Sequence, residues 1–190
     1  MSDDYGFIII TPDGFYNSWY LNNIDTSKMQ WRSFFHYELY PYIKKRFNNN
    51  PDKTFITGLS MGGHGAINIF IDDTSKFKSA GSMSGVLSLH DTRLKNSDII
   101  HVLGDYESNR ELYSISSALE RLNLIKGVDK TLVISCGYDD HLAQSSYNFH
   151  EKCKELGIDN VFIMSPGKHS WEYWIFALDM HLFHFSKILD

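Results

Sequence analysis

The G-x-S-x-G segment at residues 58–62 constrains this chain more than any other feature. An apolar run at 54–57 precedes it and a small-residue run at 63–70 follows it, which predicts a strand, a sharp turn and a helix. A serine on such a turn has a strained backbone, and the flanking glycines leave room for close approach. The pattern predicts that Ser60 is a nucleophile and that the Met61 N–H, at the helix N-terminus, is an oxyanion donor. The alternative is a glycine-rich turn with an incidental serine.

Two later segments can supply the partners of a nucleophilic serine, which needs a base that is itself oriented by an acid. Asp139 and Asp140 follow an apolar run, and His169 follows the next apolar run along the chain. Open α/β sheets gather their sites just past the carboxyl ends of strands, and the order Ser, acid, His is that of α/β-hydrolases. His169 is therefore the predicted base. Spacing does not decide between Asp139 and Asp140, and either could cap the following helix.

The other histidines receive less direct interpretations. His64 is too close to Ser60 in sequence to be its base, so we place it beside the substrate pocket, and His141 is expected to shape that pocket. His181 and His184 have a spacing that could bind a metal, but no carboxylate or cysteine pattern supports a metal site, and none is expected. The remaining four are interpreted as packed, surface or irregular-segment residues: His36, His90, His101 and His150.

Four motifs together resemble the esterase D-type serine esterases, a family with S-formylglutathione hydrolases, acetyl, feruloyl and acetylxylan esterases and mycolyltransferases. The motifs occur in family order and span nearly the whole chain, at residues 58–66, 81–85, 136–140 and 166–174. The resemblance implies an α/β-hydrolase fold, an acyl-enzyme mechanism and no cofactor. It also implies a triad of Ser60, His169 and Asp140, and it is this resemblance that favours Asp140 over Asp139.

The resemblance also implies that the chain starts late relative to the family, as an N-terminally truncated α/β-hydrolase. Residues 7–10 resemble the strand before the helix that leads to the elbow. The preceding strand and its His-Gly loop, which normally supplies the second oxyanion N–H, have no counterpart here. The family's sheet order places that strand between residues 7–11 and 54–58, so we expect free sheet edges. Free edges favour association, and the predicted protein partner is a second copy of the chain.

Composition restricts the domain organisation and the kinds of partner that the chain can have. The chain has 190 residues and a net charge of −5, which fits a single domain over residues 1–190 and argues against nucleic acid or an anionic membrane as partner. No apolar run approaches the length of a membrane span, and the run at 7–10 is too short for a signal peptide. Cys136 and Cys153 form neither a metal motif nor a disulfide framework. A cytoplasmic location is the default expectation.

Alternating strand and helix patterns predict an α/β fold, a mostly parallel sheet with helices on both faces. The predicted strands are residues 7–10, 54–58, 79–84, 131–136 and 160–164. The predicted helices are residues 31–47, the elbow helix, 143–156 and 171–188, with an irregular segment at 86–130.

The predicted function is that of a serine carboxylesterase acting on short-chain acyl esters, such as acetyl or feruloyl esters of carbohydrates. Trp19 and Trp171 are candidates for an aromatic acyl pocket or a sugar platform, whereas Tyr173 and Trp174 are assigned to packing. Two alternatives stay open. One is a thioesterase of the S-formylglutathione hydrolase type, and the other is a catalytically incomplete hydrolase-like binding module that lacks the second oxyanion donor.

Overall fold

A four-stranded parallel sheet forms the centre of the protein in a computed structural model, which describes residues 1–91, 93–94 and 97–189. Part of the segment predicted to be irregular lies outside the described residues. The strands lie side by side in chain order: β1 (Phe55–Leu59), β2 (Ser79–Met83), β3 (Leu132–Gly137) and β4 (Asn160–Ser165). Their carboxyl ends therefore meet along one edge of the sheet, where the predicted site residues follow them.

Nine α-helices connect and cover these strands in the described residues. They are α1 (Ser2–Tyr5), α2 (Trp31–Phe34), α3 (Tyr40–Phe47), α4 (Met61–Asp72), α5 (Ile100–Leu103), α6 (Arg110–Ser116), α7 (Ala118–Arg121), α8 (Ala143–Leu156) and α9 (Trp171–Leu189). Among these residues, no helix is both long enough and apolar enough to pass through a lipid bilayer.

Helices pack on both faces of the sheet, as predicted. Ala80 and Ile134 belong to the main hydrophobic core together with Phe70 of α4 and Phe149 of α8. Met83 packs instead with α9, because residues an odd number of positions apart in a strand point to opposite faces. The sheet is thus held between the α4 and α8 layer and the long C-terminal helix.

The helix predicted at 31–47 is present but not uniform. It consists of α2, a π-helical stretch at Phe35–Leu39 and α3. Asn48 ends it in a left-handed conformation with φ 48°, and Pro51 follows. The asparagine run therefore stops the helix as expected, because asparagine tolerates left-handed backbone angles better than most residues.

The predicted strand at residues 7–10 is wrong. This segment is irregular, the side chains of Ile8, Ile9 and Ile10 are exposed, and Phe7 contacts Phe55 edge to face at 5.6 Å between ring centroids. A strand requires a neighbour that pairs with its backbone groups, and a four-residue apolar run cannot specify one. Among the described residues, β2 is the single neighbour of β1, so the outer edge of β1 is a free edge.

Candidate active site

Ser60 occupies the sharp turn between β1 and α4. Its backbone angles are φ 50° and ψ −117°, an unusual conformation for a residue with a side chain. A Cβ atom on Gly58 would lie 2.4 Å from the backbone of Gly62, so the glycine at position 58 is needed where the chain turns back on itself. The Ser60 N–H donates to the Met83 carbonyl at 2.9 Å, which fixes the turn to the end of β2.

The structure brings Ser60, His169 and Asp140 together. The Ser60 hydroxyl lies 2.9 Å from His169 Nε2, and His169 Nδ1 lies 2.9 and 3.1 Å from the two carboxylate oxygens of Asp140. Asp140 lies in the loop between β3 and α8, and His169 lies in the loop between β4 and α9. This is the arrangement in which a serine passes its proton to an imidazole that a carboxylate orients.

The environment of Asp140 keeps this acid ionised. Burial alone would raise its pKa, but hydrogen bonds from His169, the Leu142 N–H at 2.8 Å and the Ser84 hydroxyl lower the pKa below its ordinary value. Asp139, by contrast, is exposed, and its N–H donates to the Gly167 carbonyl at 3.0 Å. The acid beside His169 is thus Asp140, and the backbone of Asp139 joins the two loops that carry the acid and the histidine.

Ser84 is a residue that the sequence reasoning did not single out as part of the site. It is fully buried, has φ 50° and lies one residue past the end of β2. The sequence pattern placed Ser84 at the last position of the predicted strand 79–84, so the rule that favoured His169, a polar residue just past the carboxyl end of a strand, did not indicate it.

The Met61 N–H begins helix α4. The first N–H groups of a helix have no carbonyl partner within the helix, so they can bind an anion. The Ser60 carbonyl accepts hydrogen bonds from the N–H groups of Gly63 and His64, at 3.0 and 3.2 Å, so the helix starts directly at the serine. The oxyanion role of Met61 stays a prediction.

Two of the four pocket candidates lie inside the protein. Trp19 is buried, and its indole N–H donates to Asp98 at 3.2 Å. His64 is fully buried, its Nδ1 accepts from the Asn68 amide at 3.2 Å, and burial lowers its pKa to about 3, so it is neutral. Their rings meet edge to face at 6.1 Å, so both side chains belong to the packing at the buried face of α4 rather than to an open pocket wall.

The other two candidates are accessible at the site. The His141 side chain is 56% exposed, its Nδ1 lies 3.6 Å from Asp140 Oδ1, and its ring centroid is 4.5 Å from that of His169. Trp171 is 68% exposed and meets Trp174 edge to face at 5.4 Å. Trp174, which the sequence assigned to packing, contacts the His169 ring at 4.8 Å. These aromatic rings form a partly exposed border beside the catalytic histidine candidate.

A second buried histidine lies on helix α9, against the same sheet. His181 of α9 is fully buried, with Nδ1 at 2.9 Å from the Thr57 hydroxyl and Nε2 at 2.9 Å from the Ser135 hydroxyl. Burial lowers its pKa to about 3. The sequence weighed His181 and His184 as a metal pair, whereas the structure gives His181 two hydroxyl partners on β1 and β3.

Comparisons with known proteins identify the family of this chain. Residues 7–185 match the family described as "Putative esterase". An acetyl esterase from Caldicellulosiruptor saccharolyticus is 26% identical over 92% of this chain and 70% of its own length. An S-formylglutathione hydrolase from Arabidopsis thaliana is 26% identical over 90% of this chain and 62% of its own length. The chain spans 62–75% of the length of five curated relatives, these two included.

Solved structures give the fold. A ferulic acid esterase superposes with a TM-score of 0.68 at 26% identity, covering 85% of this chain and 62% of that one. FphF, a fluorophosphonate-binding serine hydrolase of Staphylococcus aureus, superposes with a TM-score of 0.81 at 23% identity. The match covers 97% of this chain and 73% of FphF. The chain therefore has the α/β-hydrolase fold and belongs to the Esterase family of carboxylic ester hydrolases.

Proposed function

We propose that this protein is a serine carboxylesterase that hydrolyses short-chain acyl esters, with acetyl esters of carbohydrates as the preferred substrates. The observation that carries the proposal is the continuous hydrogen-bonded line from the Ser60 hydroxyl through His169 to Asp140. The family match and the hydrolase relatives support the same chemistry.

The proposed mechanism follows from these contacts. Ser60 attacks the ester carbonyl while His169 Nε2 takes the hydroxyl proton, and His169 then donates that proton to the leaving alcohol. Asp140 holds the imidazole with its Nδ1–H toward the carboxylate and stabilises the imidazolium. The Met61 N–H stabilises the oxyanion of the tetrahedral intermediate, and water then hydrolyses the acyl-enzyme. No cofactor takes part in these steps.

The direct test is hydrolysis of p-nitrophenyl acetate by the wild-type chain and by Ser60→Ala, with circular dichroism to show that both are folded. We expect turnover in the wild type and only the background rate in the variant. Equal turnover in the two proteins would contradict the assignment of Ser60. No turnover by either folded protein would support the alternative of a catalytically incomplete binding module.

The substrate class can be tested at the aromatic border. The exposed Trp171 ring beside the site supports a sugar or an aromatic acyl group as part of the substrate, because both stack on such rings. We expect kcat/KM to be highest for an acetylated oligosaccharide and lower for methyl ferulate and S-formylglutathione. Trp171→Ala should raise KM for the acetylated oligosaccharide by about two- to tenfold, a loss of about 0.5–1.5 kcal/mol, and leave p-nitrophenyl acetate unaffected. A preference for S-formylglutathione would favour the thioesterase alternative.

A second copy of this chain is the proposed protein partner, docked along the outer edge of β1. The free edge supports this proposal, and so do the exposed side chains of Ile8, Ile9 and Ile10, which follow the Phe7 ring that contacts Phe55 of β1. Unpaired edges and exposed apolar side chains both favour association. Light scattering after gel filtration should give a dimer mass that falls to the monomer mass in Ile9→Lys. A monomer at all concentrations would contradict it.

A cytoplasmic location stays a prediction. Cys136 and Cys153 are free, buried thiols, as is usual in a reducing compartment. Fractionation of cells that express the natural gene, followed by immunoblotting, would test it.

A further inference from the structure

Three potential metal ligands meet at one point of the site. Asp140, His141 and His169 each offer one ligand atom, and these atoms all lie within 4.8 Å of one another. The triad accounts for Asp140 and His169 but gives His141 no task. We propose that the three side chains form a binding site for Zn²⁺ or a similar divalent metal ion, and that an ion bound there inhibits the esterase. The inhibitory half of this proposal rests on the proposed function.

The spacing of the ligand atoms suits a tetrahedral ion. Bonds of about 2.0–2.1 Å to nitrogen and oxygen place neighbouring ligands about 3.3 Å apart in a tetrahedron. Asp140 Oδ1 lies 3.1 Å from His169 Nδ1 and 3.6 Å from His141 Nδ1, so these two distances bracket the ideal. The His141 side chain is more than half exposed and can rotate toward the ion, and water would fill the fourth position.

The ligand set favours zinc over magnesium or calcium. Two imidazoles and one carboxylate suit zinc, copper and nickel, whereas magnesium and calcium prefer all-oxygen sites. Arg93 donates to the His141 carbonyl at 2.8 Å and is paired with Asp91, so the Asp140 carboxylate supplies the negative charge that faces the ion.

Inhibition follows from the tautomer of His169. In the hydrogen-bonded line, His169 carries its proton on Nδ1, toward Asp140, and its Nε2 lone pair accepts from Ser60 at 2.9 Å. An ion at Nδ1 takes the place of that proton, so the neutral ring must hold its one proton on Nε2. Nε2 then donates toward Ser60 and can no longer accept the serine proton. The ion therefore stops general-base catalysis without touching the nucleophile.

The binding test uses the Ser60→Ala protein, which keeps all three ligands and needs no turnover. Competition with a chromophoric chelator would measure Zn²⁺ affinity in this background and after adding His141→Asn. As a matched control, His101→Asn removes an exposed histidine elsewhere on the surface. We expect His141→Asn to weaken Zn²⁺ binding by at least about tenfold, His101→Asn to leave it unchanged, and Mg²⁺ not to compete. Equal affinity in the His141→Asn and His101→Asn proteins, or no Zn²⁺ binding by the folded Ser60→Ala protein, would overturn the site.

The inhibition test then uses the protein with Ser60 in place. Zn²⁺ should lower the rate of p-nitrophenyl acetate hydrolysis, and EDTA should restore it. The Zn²⁺ concentration for half inhibition, measured for each variant against its own metal-free rate, should rise at least about tenfold in His141→Asn and stay constant in His101→Asn. Zn²⁺ binding without inhibition would overturn the regulatory role. A protein without esterase activity would contradict the proposed function instead, while the binding test would still decide the metal site.

Discussion

Two histidines each form hydrogen bonds to two side chains from different parts of the sheet, yet their surroundings differ. His169 lies between the Ser60 hydroxyl and the Asp140 carboxylate, in loops past the strand ends, and its side chain is 22% exposed. His181 lies between two hydroxyls, those of Thr57 and Ser135, and is fully buried. Both rings have a hydroxyl at 2.9 Å, so proximity of a hydroxyl to an imidazole does not separate them.

The carboxylate and the access to solvent separate the two clusters. A base that accepts a serine proton becomes an imidazolium, which Asp140 stabilises beside His169. The His181 ring has no such partner among the described residues, and burial lowers its pKa to about 3, so it resists protonation. We infer that His169 performs chemistry, whereas His181 fastens helix α9 to β1 and β3.

The largest expected effect is the loss of turnover in His169→Ala. Without the base, Ser60 cannot be deprotonated, and the rate of p-nitrophenyl acetate hydrolysis should fall roughly 10⁶-fold or to the background rate. The urea midpoint of unfolding should change little, because the His169 ring is partly exposed. His181→Ala provides the contrast, since its folded fraction should keep most of the wild-type turnover.

Asp140→Asn would make the surroundings of His169 resemble those of His181, with neutral polar partners on both sides. Turnover should fall about 10⁴-fold, because an amide can hold the imidazole in the wrong tautomer and cannot stabilise the imidazolium. Asp139→Asn is the matched control and should retain turnover within a fewfold. Similar losses in both variants would contradict the assignment of Asp140.

His181→Ala should destabilise the fold by about 3–5 kcal/mol, because the Thr57 and Ser135 hydroxyls lose their buried partner and a cavity forms. Urea unfolding followed by circular dichroism would measure the change, with His101→Ala as a surface control. A loss below about 1 kcal/mol would mean that His181 does not fasten α9 to the sheet.

The smallest expected effect is the change in stability per pH unit. The pKa of His181 falls from 6.5 to about 3 on folding, so between these values the unfolded chain binds a proton that the native chain does not. The free energy of unfolding should therefore decrease as the pH falls below 6.5, by at most about 1.4 kcal/mol per pH unit for this histidine. His181→Gln should reduce that slope. The variant should keep the part of the slope that comes from His64, because burial also lowers the pKa of His64 to about 3. An unchanged slope in His181→Gln would contradict the native pKa.

Sequence predicted the parts of the fold that depend on local pattern. Helix α8 covers the predicted residues 143–156, and strands β1 to β4 lie within two residues of their predicted bounds. Ser60 was predicted from its motif and His169 from its position after a strand, whereas the choice of Asp140 over Asp139 came from the family resemblance. Parallel strands bring residues that follow them to one edge of the sheet, where the structure has all three.

Features that depend on distant neighbours were not predictable in the same way. Residues 7–10 have the composition of a strand, but without a partner strand they remain irregular and exposed. His181 was weighed by its spacing to His184 within one helix, whereas its contacts are 124 residues away at Thr57 and 46 residues away at Ser135.

The most direct test of the central claim is covalent labelling with a fluorophosphonate, read by intact-protein and peptide mass spectrometry. A nucleophilic Ser60 activated by His169 should give one adduct per chain, located on Ser60. The adduct should be absent in Ser60→Ala, form far more slowly in His169→Ala, and form at the wild-type rate in folded His181→Ala. A folded wild-type protein that gains no adduct on Ser60, or one that labels equally fast without His169, would contradict the account.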